Sequence, residues 1–216
     1  MSRRVDPNRL RRALHAGAIA LAAAPLGWLG ARAIGLAGDL GANPVETVIH
    51  TSGDWALRCL LLCLAVTPMR RLLGIAALAP LRRTFGLAAF GWACLHALAY
   101  VGLDQGFDLR SLVEDLRDRR YVFAGLTALL CLAPLAATST RAAQRRLGRR
   151  WKTLHRLVFG AAAAAVVHYT WLVKADLAWP LAYAAVLAVL VAMRLRAAQR
   201  SAPLGAFDAR TPPAAR

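Results

Sequence analysis

FGLAAFGWACLHALAYVGL, residues 85–103, carries no formal charge along its whole length and contains one imidazole, His96. A helix needs about 20 predominantly apolar residues to cross a bilayer core. The stretch therefore reads as a membrane span with a histidine inside it. Working outward, further apolar runs stand at 14–29, 55–66, 122–137, 157–173 and 177–193. The run at 55–66 is the shortest, and Arg58 interrupts its start, although a long side chain near a helix end can snorkel to the interface. Six runs in 216 residues, 58% of them apolar, predict an all-α polytopic membrane protein, a six-helix transmembrane bundle.

The same chain has a formal charge of +17. Nucleic-acid binding would need the basic residues on one face of a soluble fold, whereas here they cluster between apolar runs. Lys and Arg are retained on the cytoplasmic side of a membrane. Arg3, Arg4, Arg9, Arg11 and Arg12 precede the first run; Arg70, Arg71, Arg82 and Arg83 lie between the second and third. The connection from Arg141 to Arg156 and the tail from Arg194 are also basic, while the acidic residues from Asp39 to Asp176 fall in the alternate connections. Both termini are thus expected in the cytoplasm. Residues 1–12 read as a basic cytoplasmic N-terminus, 13–196 as the six-helix domain, and the Ala- and Pro-rich 197–216 as a disordered cytoplasmic tail. A cleaved signal peptide is the rival reading of the first run, which ends in Ala31-Arg32-Ala33; Pro25 and the charge alternation favour retention. In 104–120, Leu109, Leu112, Val113 and Leu116 recur at helical spacing among charges, as in a short helix lying on the membrane surface. No internal repeat is evident.

Cys59, Cys63, Cys94 and Cys131 all lie inside apolar runs without a C-x-x-C pattern, and they read as small packing residues. The histidines are more informative. Ionisable or metal-binding side chains at membrane depth are costly and point to function. Counted from cytoplasmic helix starts near Phe85 and Leu154, His96 lies roughly 17 Å and His168 roughly 21 Å along its helix. Two neutral imidazoles at matching depth on two helices are what a six-coordinate b-type haem needs, and with both axial positions filled such a haem transfers electrons. His155 sits about 20 Å below His168 on the same run, among Arg149, Arg150, Lys152 and Arg156. It is a possible ligand of an inner haem, a flavin-orienting group or a headgroup-level residue. The position matching it on the third helix holds Arg83. His15 starts the first run, and His50 is expected in an outer loop. Arg58 is a candidate partner for a haem propionate or for lipid phosphate. No G-x-G-x-x-G or Walker pattern is present, so electrons must come from a partner, from quinol or from a bound flavin.

The stretches Trp55-Ala56-Leu57-Arg58, Thr67-Pro68-Met69-Arg70-Arg71, Leu81-Arg82-Arg83-Thr84-Phe85-Gly86-Leu87 with Leu95-His96, and Leu147-Gly148-Arg149-Arg150-Trp151-Lys152-Thr153-Leu154-His155-Arg156-Leu157 with His168-Tyr169 resemble the MsrQ (formerly YedZ) family. That family lies within the ferric reductase-like transmembrane group. The likeness spans about 43–193. It implies a haem b electron-transfer subunit of the bacterial inner membrane, with FMN also associated, serving a periplasmic molybdopterin-containing methionine sulfoxide reductase that repairs oxidised envelope proteins. The family's membrane histidines fall on His96, His155 and His168. The wider group uses two histidines on each of two helices, and this chain lacks the second on its third helix. A ferric reductase or quinol-oxidising cytochrome with another acceptor is an alternative, as is a small transporter or assembly factor whose histidines relay protons or pack.

Overall fold

The computed structural model describes residues 7–173 and 175–199. Among them the regular structure is helical: α1 (Pro7–Ala33), α2 (Pro44–Leu73), α3 (Leu81–Ala99), α4 (Leu109–Asp118), α5 (Arg120–Ala137), α6 (Arg141–Leu147), α7 (Arg149–Leu154), α8 (Leu157–Leu172) and α9 (Ala178–Gln199). Residues 197–199, expected in the tail, still belong to α9, because helical propensity in the alanine-rich stretch carries the helix past its apolar run. The rest of that tail lies outside the described residues.

The fold is all-helical and that of a membrane protein. Asn8–Ala33, Ala76–Asp104, Arg120–Ala137 and Ala178–Ala197 are long and apolar enough to cross a bilayer. The other two expected spans differ from these four for different reasons. α8 is strongly apolar but has only 16 residues. α2 has 30 residues but carries Asp54 and Arg58 in mid-helix.

α2 also begins well before the apolar run that signalled it. The Asn43 side chain accepts a hydrogen bond from the Glu46 N–H at 3.2 Å and donates one to the Glu46 carboxylate at 3.1 Å. Pro44 follows in the first helical turn, where its missing N–H costs nothing. At the other end Gly74, with φ of 67°, takes the left-handed conformation that closes a helix. His50, expected in a loop, is consequently on the second turn of α2.

Two antiparallel pairs organise the bundle. α2 packs along α3, with Gly53 beside His96 and Gly86 beside Cys63; α5 packs along α8. Their contact line is made of small residues: Cys59, Ala89, Ala161 and Ala162 have no exposed surface, which lets the backbones approach as membrane helices do. α1 leans on α3 through Trp92, whose indole donates to the Ala22 carbonyl at 2.9 Å, and α9 packs on α8 and α2. Large apolar side chains such as Leu26, Leu98, Phe123, Leu130 and Leu181 point outward. Such a surface suits lipid and not water.

The segment between α3 and α5 is helical where its spacing predicts, at α4, which Asp108 caps through the Arg110 N–H at 2.9 Å. A single π-turn, Tyr100–Asp104, ends α3, and the Tyr100 hydroxyl donates to Asp115 on α4. That turn fixes the end of the helix carrying His96.

Candidate metal centre

His96 comes from the last turn of α3 and His168 stands just before the last turn of α8. Each imidazole is half-buried, and each reaches across to a different helix. His96 Nδ1 lies 2.9 Å from the Ile49 carbonyl oxygen on α2; His168 Nδ1 lies 2.6 Å from the Tyr121 carbonyl oxygen on α5. A carbonyl oxygen can only accept, so in both rings Nδ1 carries the proton and donates. In a neutral imidazole this leaves the lone pair on Nε2, the arrangement a metal-ligating histidine uses when a second partner holds its other nitrogen.

The two ring centroids are 5.9 Å apart, and the ring planes cross at 81°. Two metal–imidazole bonds of about 2 Å each, with half a ring beyond each nitrogen, would put ring centres roughly 6 Å apart. The donor set and the spacing fit one metal ion between two imidazoles. Among the described residues no group of three or more His, Cys, Asp or Glu side chains gathers to hold an ion. Two imidazole nitrogens in apolar surroundings would suit an iron whose remaining ligands come from a porphyrin.

The other candidates stand apart from this pair. Arg58, on α2, donates through Nη2 to Asp54 at 2.9 Å and through Nε to the Tyr183 hydroxyl of α9 at 3.0 Å, and its guanidinium lies 5.3 Å from the centre of the Trp55 ring. With His50, Asp54, Trp55 and Trp28 it lines a cleft of about 480 Å³ between α1 and α2, which does not include His96 or His168. His50 itself is 3.8 Å from the Glu46 carboxylate.

His155 follows α7 at the opposite end of the bundle. Its Nδ1 donates to the Trp151 carbonyl at 3.1 Å, and its ring stacks on the Trp151 indole at 3.8 Å with 25° between planes. Burial pushes its pKa below the ordinary imidazole value; the Arg82 guanidinium adds to that, and the Trp151 carbonyl opposes it. The Trp151 indole donates to the Thr138 carbonyl at 3.0 Å, tying α7 to the end of α5. His15, on α1, shares a hydrogen bond of 3.1 Å with Thr84 of α3. The Ile49 and Tyr121 carbonyls escape a reading of the sequence because any residue supplies a carbonyl.

The profile of the ferric reductase like transmembrane component family matches residues 52–166, from the turn beside His96 to just before His168. A protein of Rhodospirillum rubrum named protein-methionine-sulfoxide reductase heme-binding subunit MsrQ is 50% identical over 82% of this chain and 84% of its own length. The chain belongs to the MsrQ family. An MsrQ protein of Caulobacter vibrioides is 44% identical over 93% of this chain and 98% of its own length, and one of Bordetella pertussis is 46% identical over 79% and 81%. The MsrQ likeness thus runs through nearly the whole chain and includes both histidine-bearing helices. No solved structure matches it.

Proposed function

We propose that this MsrQ-family chain is the haem b-containing electron-transfer subunit of a periplasmic methionine sulfoxide reductase system. It crosses the bacterial inner membrane six times, with both termini in the cytoplasm, α2 and α8 completing the set begun by the four strongly apolar helices. α2 can do so because Asp54 and Arg58, in mid-helix, pair with one another at 2.9 Å and so neutralise their charges.

One observation carries this reading: His96 and His168, from separate helices, have their Nδ1 protons committed to backbone carbonyls and their ring centres 5.9 Å apart. The residues that would hold the haem are His96 and His168 at the iron, with Arg58 available to a propionate. When bound, the haem supplies a one-electron ferric/ferrous couple. The protein's own residues fix the ligand nitrogens and keep the site within apolar walls. The donor is quinol or a cytoplasmic flavin reductase, and the acceptor is a molybdopterin-containing catalytic subunit in the periplasm, where sulfoxide reduction itself takes place. His155 and the basic inner surface around it are the candidate docking region for a donor or for the phosphate of FMN.

The test is purification of the full chain from membranes with haem supplied. A red protein with a sharp reduced α-band and at least one haem per chain is expected. A colourless, folded protein would overturn the haem reading and leave transport or assembly as the function.

A further inference from the structure

We propose that Gly53 and Gly125 are positioning residues, twin notches that let His96 and His168 reach their carbonyls and so preset both imidazoles as Nε2 ligands. The proposal rests on the haem reading for its consequence but not for its geometry. In an α-helix the carbonyl of residue i accepts from the N–H of residue i+4. Gly53 is four residues after Ile49, and Gly125 four after Tyr121, so each histidine bonds the carbonyl that its glycine already uses. A carbonyl oxygen has two lone pairs, and an imidazole that approaches the second directly over residue i+4 needs the space a Cβ there would fill.

The space confirms that condition at both positions. A Cβ on Gly53 would lie 3.0 Å from His96 Nδ1 and 3.1 Å from its Cε1; a Cβ on Gly125 would lie 2.8 Å and 3.0 Å from the same atoms of His168. The nearest atoms met are in each case those of the imidazole ring. By contrast, Gly91 on α3 and Gly160 on α8, the helices that carry the histidines, have nothing within 4 Å of a Cβ.

The two notches are copies of one device. Histidine and carbonyl are 47 residues apart in both halves, 49 to 96 and 121 to 168. The α2–α3 pair connects through a short 3-10 turn and the α5–α8 pair through α6 and α7, yet the register between helices is the same. Equivalent notches on antiparallel pairs hold the two imidazoles by the same kind of bond, with 81° between their planes.

The decisive experiment compares Gly53→Ala and Gly125→Ala with the controls Gly91→Ala and Gly160→Ala in the full chain. Readouts are haem retained after purification, the low-spin electron paramagnetic resonance signal of the oxidised protein, and the imidazole nitrogen shifts of histidine-labelled protein prepared without haem. Disturbing the group that orients a metal-bound histidine costs about 10–100-fold in metal affinity. A loss of that order is expected in both notch variants, larger for Gly125→Ala, with altered signal positions in any haem that remains. The controls should match wild type. In haem-free wild type the nitrogen shifts should report Nδ1–H rings, and each notch variant should move one histidine out of that tautomer. If the notch variants keep wild-type haem, signal and tautomers, the proposal is wrong even though the chain is a cytochrome. If wild type takes no haem, the functional reading fails, and the tautomer shifts alone decide whether the notches act as argued.

Discussion

The same side chain is used in two ways at the two ends of this bundle. At one end His96 and His168 each bond a backbone carbonyl on another helix, and their ring centres lie 5.9 Å apart. At the other, His155 bonds a carbonyl four residues earlier in its own chain and lies flat on Trp151, with Arg82 as its charged neighbour. A contact within one turn forms wherever that turn forms and says little about the rest of the fold. A contact between helices exists only when two helices share one register, and it withdraws one ring nitrogen while leaving the other for a ligand. The difference separates a pair of imidazoles with one nitrogen each left for a ligand from an aromatic stack, although both contain histidine.

The sharpest way to break the comparison is to delete each kind of histidine. His96→Ala and His168→Ala each remove one of the two imidazoles that would hold the haem, and each is expected to abolish stable haem retention, read as the loss of the reduced α-band per milligram of purified protein. Retention of full haem by either variant would dissolve the pairing. The two variants should behave alike, since the two imidazoles are held in the same manner.

His155→Ala should give the opposite result at the haem. It is expected to keep the haem held by His96 and His168, to slow reduction by a donor on the cytoplasmic side, and to lose about 0.5–1.5 kcal/mol of stability with the Trp151 stack. Loss of all haem in this variant would mean that the inner histidine is an essential ligand and that the two ends do not differ in kind.

What could be read beforehand divides along the same line. The membrane class, the helices α1, α3, α5, α8 and α9, and the closeness of His96 to His168 were legible, because apolar runs measure depth and depth brings side chains level. α2 was only half legible: its apolar run covers 55–66, but the helix spans Pro44–Leu73, since Asn43, Pro44 and Gly74 set the ends independently of hydropathy. That is why His50 fell outside its expected loop. The two notches were not read at all. Their trace is the repeated spacing of Gly53 with His96 and Gly125 with His168, too sparse a pattern to stand out as a repeat until the carbonyls show what the spacing accomplishes. The stack of His155 on Trp151 was equally hidden, because two rings four residues apart can meet or diverge depending on rotamer.

The smallest expected effect concerns the frame of the first notch. Ile49 and Gly53 lie in the opening turns of α2, and those turns start at Asn43, whose side chain caps the Glu46 N–H. Asn43→Ala removes the cap and should cost typically about 1 kcal/mol, read as a small drop in thermal unfolding midpoint with the haem content almost unchanged. The reason for so mild an outcome is that the turn is held from its other side too: Ser52 is fully buried and donates to the Val48 carbonyl at 2.7 Å, and Thr47 donates to the Leu40 carbonyl at 2.7 Å. A loss of haem approaching that of His96→Ala would show instead that the start of α2 has no support beyond its cap, and that the first notch is held less rigidly than the second.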